Sequence, residues 1–339
     1  MSQTNSGNSQ KTIGILGAGA WGTALAQVAA MAGNKVILWA LETEVAKDIT
    51  EKHQNSAFLP NINLSKNIIA TNKLDDIVEV DAILAVIPAQ FMRKTLEQIG
   101  PKLRDKMPIA LCSKGIEQKS LEIMTEVLAQ SVPQATPIVI SGPSFAKDVA
   151  IGLPTAVTLA CPDKEIGEKI VNLIGISTFR PYWVDDLIGA EIGGAVKNVL
   201  AIACGMAEGR GLGESARAAL ITRGFAEMVR LGVKMGAKAQ TLNGLCGLGD
   251  LVLTCSSKSS RNFSLGFALG QGQTFEEAQK GKNSVAEGAA TAPALAQLAK
   301  KYEVDMPICA AVAAILDGRL AVNEAIEALL NRPFKQEGQ

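Results

Sequence analysis

The first half of the chain alternates short apolar runs with longer amphipathic stretches. The apolar runs are rich in β-branched residues and predict strands at 12–16, 35–39, 68–71, 81–87, 108–113, 137–141, 155–160 and 178–183. The amphipathic stretches predict helices, for example at 22–32, 90–99, 120–131 and 163–174. Strands that are apolar throughout and separated by helices indicate a parallel sheet that is covered on both faces.

From about Ile188 onward the pattern changes, because strand signals end and helical segments rich in Ala, Leu and Glu follow one another. We therefore predict an α/β domain with a doubly wound, mostly parallel sheet at 12–187, followed by an all-helical domain at 188–339. The polar start at 1–11, "MSQTNSGNSQK", predicts a disordered tail and lacks the apolar core of a signal peptide.

The charge balance argues against two classes of partner. Lys plus Arg equals Asp plus Glu, 33 each, so no basic excess points to nucleic acid or to an anionic membrane surface. No uninterrupted apolar run reaches the roughly 18 residues of a spanning helix, so we expect no stable membrane insertion. At 339 residues the chain is long enough for two domains, in agreement with the pattern above.

The six cysteines are scattered, form no C-x-x-C pair and lie mostly among small apolar residues. We expect them to be reduced and to pack as small hydrophobic residues, as in a cytoplasmic protein. The single histidine, His53, has no companion ligand at a suitable spacing, so no metal site is predicted. Its surroundings, "EKHQNSAFLP", predict a loop histidine without a catalytic role.

A glycine-rich turn follows the first predicted strand. Gly17, Gly19 and Gly22 have the G-x-G-x-x-G spacing between that strand and a predicted helix, within a β-α-β unit. The first glycine permits a tight turn, the second lets the backbone approach a pyrophosphate, and the third lets the helix pack on the strand. A dinucleotide site is therefore predicted, and glycines that serve packing alone are the alternative.

The end of the second predicted strand bears on the choice of dinucleotide. Glu42 lies there, and an acidic residue at this place binds the adenosine ribose hydroxyls of NAD, whereas arginine favours NADP. No Lys or Arg occurs from Val36 to Ala46, so NADH is expected to be accepted well. A carboxylate that only stabilises the first turn of the following helix is the alternative for Glu42.

Two stretches place polar groups after later strands of the predicted sheet. Lys114 lies in "CSKGIE", and Gly142 and Ser144 lie in "ISGPSFAKDVA". Doubly wound sheets bind ligands at the carboxyl ends of their strands, where both stretches fall. These residues are therefore candidates for contacts with a ligand.

The stretch "CGLGDLVLTCSSKSSRNFSLG" joins Asp250 to a polar cluster of Ser260, Arg261 and Asn262. A hydroxyl, a guanidinium and an amide close together before a helix make a suitable phosphate site. An exposed polar loop is the alternative for this cluster.

The segment 189–209, "GAEIGGAVKNVLAIACGMAEG", has the composition of a buried helix and carries Lys197 near its middle. Burying an unpaired ammonium group is costly, so this lysine must be paired, must reach a wet cavity or must release its proton. An ion pair with a buried carboxylate such as Glu191 or Asp250 is the structural alternative to a catalytic role. Asn198, the next residue, points about 100° away around the helix.

The motifs "GAGAWGTALA", "SKGIE", "SGPSFA", "VKN", "GLCGLGDL" and "SSRN" occur in an order that resembles the bacterial NAD(P)-dependent glycerol-3-phosphate dehydrogenases. The resemblance extends from about residue 12 to about residue 330. It implies a cytoplasmic enzyme with a Rossmann-type domain and a helical domain, commonly a homodimer. The implied reaction is the reduction of dihydroxyacetone phosphate by NAD(P)H to sn-glycerol 3-phosphate, the head-group precursor of phospholipids.

The resemblance also implies roles for single residues, with Lys197 as the general acid/base of the reaction. It implies substrate contacts for Lys114, Gly142, Ser144, Lys197, Asp250, Ser260, Arg261 and Asn262. It implies cofactor contacts for Ala20, Trp21, Lys114, Ala146, Arg261, Val285 and Glu287, which join Gly17, Gly19, Gly22 and Glu42. Apolar neighbours, and Lys114 if it lies close, are expected to lower the pKa of Lys197 from its usual value of about 10.4.

The sequence departs from the family pattern at Leu41, where many members have Arg or His. This departure argues against a strong preference for NADP. Two other functions remain open from the residues alone: a β-hydroxyacid dehydrogenase or ketopantoate reductase, and a protein that holds NADH without chemistry. The Ala-rich faces at 189–207 and 285–300 indicate either a dimer interface or an intramolecular core.

Overall fold

The computed structural model describes residues 10–280 and 286–333. Most of the predicted tail, 1–9, lies outside the described residues, and so does the predicted cofactor contact Val285. The last two tail residues are held in place. Gln10 donates to the Gly33 carbonyl over 3.1 Å, and Lys11 pairs with Asp81 over 2.9 Å.

Eight strands form one sheet within the described part of the chain. The strands are β1 Thr12–Leu16, β2 Lys35–Trp39, β3 Ile68–Thr71, β4 Ala82–Ala85, β5 Pro108–Leu111, β6 Thr136–Ser141, β7 Thr155–Ala160 and β8 Phe179–Val184. Their order is β3-β2-β1-β4-β5-β6-β7-β8. Every neighbouring pair is parallel except β6 and β7, which are antiparallel. The predicted mostly parallel sheet is confirmed.

Helices cover both faces of the sheet. They are α1 Ala20–Met31, α2 Thr43–Lys52, α3 Ala89–Ile99, α4 Met124–Ser131, α5 Ala146–Ala150 and α6 Lys164–Ile174. Neighbouring residues of a strand face opposite cores, so Ile15 belongs to one apolar cluster and Leu16 to the other. This burial on both sides explains why the strands are apolar throughout rather than alternating.

The helix predicted at 120–131 begins later than expected, at Met124. The residues before it form a tight hairpin in which Ile116 pairs with Ile123 and Leu121 adopts a left-handed conformation with φ of 62°. A non-glycine residue with positive φ cannot continue a right-handed helix. The helix therefore starts only after this turn.

The second half of the described chain is helical, as predicted. Its helices are α7 Leu187–Gly209, α8 Gly213–Lys234, α9 Ala239–Leu242, α10 Asp250–Cys255, α11 Arg261–Gly270, α12 Phe275–Gln279, α13 Glu287–Lys301, α14 Pro307–Leu316 and α15 Val322–Leu330. α7 is the central helix, since α8, α10, α11, α13 and α14 all pack against it. The face 189–207 is buried almost throughout. It serves as an intramolecular core and offers no dimer interface.

Glycines allow α7 and α11 to cross at very short range. An ideal Cβ placed on Gly205 would lie 2.1 Å from the carbonyl oxygen of Phe263, and one on Gly266 would lie 2.0 Å from that of Ile202. Gly209 and Gly270 make the same kind of contact one turn farther along each helix. The two backbones touch directly, so the position of α11 on α7 leaves no room for a larger side chain.

By length and mean hydropathy α7 is the one helix of the described chain that is able to cross a membrane. Its most apolar window has a mean hydropathy of 1.5, yet 89% of that window is buried inside the molecule. The apolar surface of α7 is thus already covered by the surrounding helices.

We predict that Gly205→Ala weakens the helical domain. The added methyl group meets backbone atoms that cannot rotate away, so the free energy of unfolding should fall by about 2 kcal/mol. The midpoint of urea unfolding, followed by circular dichroism, measures this loss.

Gly224→Ala is the matched control, because the atoms nearest to its Cβ position belong to the Leu200 side chain, with Cδ2 at 2.5 Å, and not to backbone. Alanine is worth about 0.5–1 kcal/mol more than glycine inside a helix, so this variant should stay close to the wild type. Equal stability of the two variants would contradict the argument for close helix contact.

Candidate active site

The glycine-rich turn has the geometry of a dinucleotide site. Gly17 adopts φ of 113°, and a Cβ there would lie 2.8 Å from the carbonyl oxygen of Val86. A Cβ on Gly22 would lie 1.8 Å from the Gly17 carbonyl oxygen, so α1 must begin against the turn. Gly19 precedes the first residue of α1 and has no atom within 4 Å of its Cβ position. The open space there, at a helix N-terminus, fits a pyrophosphate.

Other predicted cofactor residues surround this turn. Ala20 and Trp21 are the first residues of α1, and the buried indole Nε1 of Trp21 has no hydrogen-bond partner among the described residues. Ala146 begins α5, which packs against α1. Glu42 immediately precedes α2 and makes no capping hydrogen bond, while Leu41 beside it is 74% exposed.

Three charged side chains from distant parts of the sequence meet at the centre of the site. Asp250 binds Lys197 through Oδ1 over 2.9 Å and Lys114 through Oδ2 over 2.6 Å. The Asp250 carboxylate is 1% exposed, and the side chains of Lys197 and Lys114 are 9% and 13% exposed. Lys114 also donates to the Gly142 carbonyl over 3.2 Å, which ties the cluster to the end of β6.

The surroundings of these charges shift their pKa values. Burial lowers the pKa of Lys197 to about 8, the charge of Lys114 acts in the same direction, and Asp250 opposes both. Burial acts to raise the pKa of Asp250, but the two ammonium groups outweigh it and hold that pKa below its usual value. The cluster therefore combines a firmly ionised carboxylate with an amine that can exchange its proton near neutral pH.

The structure answers which carboxylate pairs with the buried lysine. Asp250 is the partner, whereas Glu191 accepts hydrogen bonds from the backbone NH and hydroxyl of Thr125, over 3.0 Å and 2.5 Å. Burial raises the pKa of Glu191 to about 7, against these hydrogen bonds. Glu191 thus connects α7 to the first turn of α4 and takes no part in the charged cluster.

Thr254 is a site residue that sequence reasoning missed. Its hydroxyl lies 2.8 Å from Lys197 Nζ and donates to Asp250 Oδ1 over 3.2 Å. The hydroxyl follows Asp250 by four residues in α10, so one turn of helix brings it beside the carboxylate. The spacing of four residues between Asp250 and Thr254 is the sequence signal that could have identified Thr254. A π-helical turn, Leu245–Gly249, leads directly into Asp250.

A chain of amides connects Lys114 to the helical domain. Asn198 donates to the Lys114 carbonyl over 3.4 Å and accepts from the amide of Asn262 over 2.9 Å. Asn262 in turn accepts from the backbone NH of Gly288 over 2.9 Å. Asn198 thus points away from the Lys197 cluster, as predicted, and fixes a loop.

The Ser260–Asn262 cluster is mostly buried, so the exposed-loop alternative is wrong. Ser260 is 5% exposed and caps α11 by accepting from the backbone NH of Phe263 over 3.2 Å. Asn262 is 8% exposed. Arg261 alone is exposed. Its guanidinium stands at the N-terminus of α11, close enough to Glu287 for its charge to act on that carboxyl.

The remaining predicted residues lie near these groups. Ser144 donates to the Gly142 carbonyl over 3.1 Å, the same oxygen that accepts from Lys114. Glu287 begins α13, and burial raises its pKa while the field of Arg261 opposes this shift. His53 ends α2 in a left-handed conformation.

Comparisons with known proteins agree with this geometry. The family models for the N-terminus and C-terminus of NAD-dependent glycerol-3-phosphate dehydrogenase match residues 12–167 and 186–327. The glycerol-3-phosphate dehydrogenase [NAD(P)+] of Maricaulis maris is 58% identical over 327 residues, covering 96% of this chain and 98% of that protein. The relative of the same name from Parvibaculum lavamentivorans is 57% identical, with the same two coverages. The crystal structure of glycerol-3-phosphate dehydrogenase from Coxiella burnetii is 41% identical and gives a TM-score of 0.92, covering 95% of this chain and 99% of that chain.

We predict that Lys114→Met raises the pKa of Lys197. Methionine keeps the length of the side chain but removes the positive charge that acts against the Lys197 ammonium. The pKa of Lys197 should rise by about one pH unit, measured by NMR titration of lysine-labelled protein.

Lys119→Met is the control, because Lys119 is an exposed lysine on the same loop. Its substitution should leave the Lys197 titration unchanged. If the two variants shift the Lys197 titration equally, the charge of Lys114 has no specific effect on the pKa of Lys197.

Proposed function

This chain belongs to the family of NAD-dependent glycerol-3-phosphate dehydrogenases, and on that premise we propose that it reduces dihydroxyacetone phosphate to sn-glycerol 3-phosphate, reversibly, with NAD(P)H. The observation that carries the proposal is the buried Lys114–Asp250–Lys197 cluster. We propose 12–187 as the dinucleotide-binding domain and 188–339 as the substrate-binding domain.

We propose that Lys197 moves the proton of this reaction. When bound, NAD(P)H would supply the hydride for the ketone carbon, and the ketone oxygen would need a proton from a group within hydrogen-bond reach. With a pKa of about 8, Lys197 is largely protonated at neutral pH and can still release the proton at low cost. Asp250 and Thr254 hold its Nζ in place over 2.9 Å and 2.8 Å.

The polar groups at the start of α11 suit a phosphate. Arg261 is an exposed cation, and the first backbone NH groups of a ten-residue helix add a favourable dipole. Ser260 uses its oxygen as an acceptor for the helix cap, which leaves its hydroxyl proton available. Asn262 gives one amide hydrogen to Asn198 and has a second to donate. We propose that these three residues bind the substrate phosphate.

We propose that the other substrate oxygens contact Lys114, Gly142, Ser144 and Asp250. The first two already share a hydrogen bond over 3.2 Å, and Ser144 donates to the same carbonyl. An incoming hydroxyl or carbonyl oxygen can replace part of these internal contacts without leaving a buried polar group unpaired. This exchange keeps the cost of substrate binding low.

The cofactor is proposed to bind across the glycine-rich turn, contacted by Gly17, Gly19, Ala20, Trp21 and Gly22. Further contacts are proposed for Glu42, Lys114, Ala146, Arg261, Val285 and Glu287. An exposed Leu41 provides no charge for the 2′-phosphate of NADPH, and Glu42 beside it would repel that group. NADH is therefore proposed as a well-accepted cofactor.

We propose that the enzyme works in the cytoplasm and supplies phospholipid synthesis. All six cysteines are free and buried, as expected of reduced thiols that only pack. The product, sn-glycerol 3-phosphate, is a head-group precursor of phospholipids.

We also propose a homodimer, formed by the cleft between α8, α14 and α15. This cleft has a volume of about 1210 Å³ and is lined by apolar residues such as Leu220, Ile315 and Leu329. Val233 and Leu330, which also line it, are 49% and 78% exposed. Large exposed apolar patches mark interaction sites, and a second copy is the partner that the family resemblance implies.

Light scattering is expected to give twice the chain mass of 35.5 kDa. Val233→Asp should lower the mass toward one chain, because a carboxylate would be buried unpaired at the contact. Met31→Asp, at a residue 48% exposed on α1, is the control and should remain dimeric. A dimer that persists in the Val233 variant would place the interface elsewhere.

The reaction itself is tested by following the absorbance of NADH and then of NADPH with dihydroxyacetone phosphate. We predict turnover with dihydroxyacetone phosphate and little with 2-keto acids, which a hydroxyacid dehydrogenase or ketopantoate reductase would prefer. Lys197→Ala should lose about 10²–10⁴-fold in kcat, the usual contribution of a positioned proton donor, and still bind NADH.

Lys119→Ala serves as the control and should retain full turnover. Near wild-type turnover by Lys197→Ala would remove the proposed role of this lysine. NADH binding without any turnover in the wild type would instead favour a protein that only senses the cofactor.

A further inference from the structure

Lys114 lies in the segment between β5 and α4, two residues before a hairpin that begins at Ile116. The Ile116–Ile123 bridge and two backbone bonds of 2.9 Å, from Glu117 NH to the Glu122 carbonyl and from Leu121 NH to the Glu117 carbonyl, all lie beyond Lys114. The Lys114 carbonyl itself accepts one long hydrogen bond of 3.4 Å from Asn198. Something outside the hairpin must therefore hold the backbone near Lys114.

Gln90, in the first turn of α3, makes the strongest such contacts. Its amide nitrogen donates to the Ile116 carbonyl over 2.7 Å, and its amide oxygen accepts from the backbone NH of Gln118 over 3.0 Å. Both ends of one side chain are thus used on backbone groups two and four residues after Lys114. The planar amide sets the distance and the direction of this segment together.

Arg93, one turn later on the same face of α3, holds the far side of the hairpin. It binds Glu117 through Nε over 3.0 Å and through Nη2 over 2.8 Å, and it binds Glu122 over 2.7 Å. The hydrogen bonds that Glu117 accepts from Arg93 are the main cause of its lowered pKa. These bonds hold the side chains of Glu117 and Glu122, whereas Gln90 binds the backbone groups of Ile116 and Gln118.

The same segment touches the helical domain. The side chain of Gln118 donates to the Ala290 carbonyl in α13 over 2.8 Å. A Cβ on Gly115 would lie 2.9 Å from Ala89 of α3 and 3.3 Å from the Thr291 hydroxyl of α13. The hairpin is therefore packed between the sheet domain and α13. Because no empty space surrounds Gly115, removing the Gln90 contacts should displace the backbone next to Lys114.

We propose that Gln90 is a positioning residue, which holds the 116–118 backbone so that the Lys114 ammonium reaches Asp250 over 2.6 Å. This inference rests on the proposed function, because it assigns to Gln90 the placement of a substrate-binding lysine. Gln90 touches neither Lys197 nor Asp250, so its effect travels only through the position of Lys114.

The inference has two separate consequences. Substrate binding weakens, because the Lys114 ammonium no longer meets the substrate oxygen at the right place. The charge of Lys114 also moves away from Lys197, so the pKa of Lys197 rises above about 8. A residue that merely stabilised the fold would produce neither effect.

The test compares Gln90→Ala, Gln90→Glu and the control Gln130→Ala. Gln90→Glu keeps the acceptor for Gln118 NH but sets a carboxylate oxygen against the Ile116 carbonyl. Gln130 joins the network on its exposed side, accepting from Arg93 over 2.8 Å and donating to Glu122 over 2.6 Å. The measurements are kcat and KM for dihydroxyacetone phosphate, the Kd for NADH, the thermal midpoint, and the Lys197 titration by NMR in the free protein.

Both Gln90 variants should raise KM for dihydroxyacetone phosphate about tenfold, the effect expected when a binding group is misplaced rather than removed. Their Kd for NADH should stay within about twofold of the wild type, and their Lys197 titration should shift upward. Gln130→Ala should match the wild type in every measurement.

An unchanged KM with an unchanged Lys197 titration in Gln90→Ala overturns the inference. The inference is also overturned if Gln130→Ala raises KM to the same extent. The same holds if the rise in KM is accompanied by a proportionate fall in the thermal midpoint and in NADH affinity. If the wild type does not turn over dihydroxyacetone phosphate, the proposed function fails. The Lys197 titration then still reports, without substrate, whether Gln90 positions Lys114.

Discussion

The ion triad of Asp250 with Lys114 and Lys197 is the interaction on which the site depends. Its three members come from the hairpin after β5, from α7 and from the start of α10, so one carboxylate connects the sheet domain to two helices. A single buried charge would be very costly, and the attraction within a buried ion pair hardly offsets the free energy needed to remove both charges from water. Here each carboxylate oxygen has its own ammonium partner, and one net positive charge remains in the cleft. That remaining charge suits an anionic substrate.

The triad explains the composition of α7. A lysine in a buried helix needs close neighbours that leave room for its partners, and the small residues of this helix provide that room. A Cβ on Gly194 would lie 2.9 Å from Ser141 Oγ and 3.3 Å from Lys114 Cγ, so the stem of Lys114 lies directly on the helix. Gly193 similarly lets the backbone of Cys246 approach, 2.4 Å from its Cβ position. Close packing thus brings the Lys114 stem and the π-helical turn against the same turn of α7.

Much of the fold followed from the hydrophobic pattern, since strands buried on both faces leave an unambiguous signal. The strand ends and the glycine-rich turn, which place the site, depend only on such local patterns. The pattern failed at 120–131, where a left-handed Leu121 delays the helix in a way that no periodicity records. The choice of Asp250 over Glu191 as the partner of Lys197 also lay beyond local reasoning, because it depends on the packing of α10 against α7.

The hydrogen bonds around the triad show why the family motifs include residues with no obvious chemistry. Asn198 and Asn262 use their amides on each other and on backbone groups, which connects the Lys114 hairpin to α11 and α13. Each amide satisfies a buried polar group that would otherwise cost about 1–3 kcal/mol. The same amides keep the start of α11, the proposed phosphate site, at a fixed distance from Lys114. Stability and positioning are therefore inseparable here, because the bonds that make burial tolerable also set the spacing between α11 and the Lys114 segment.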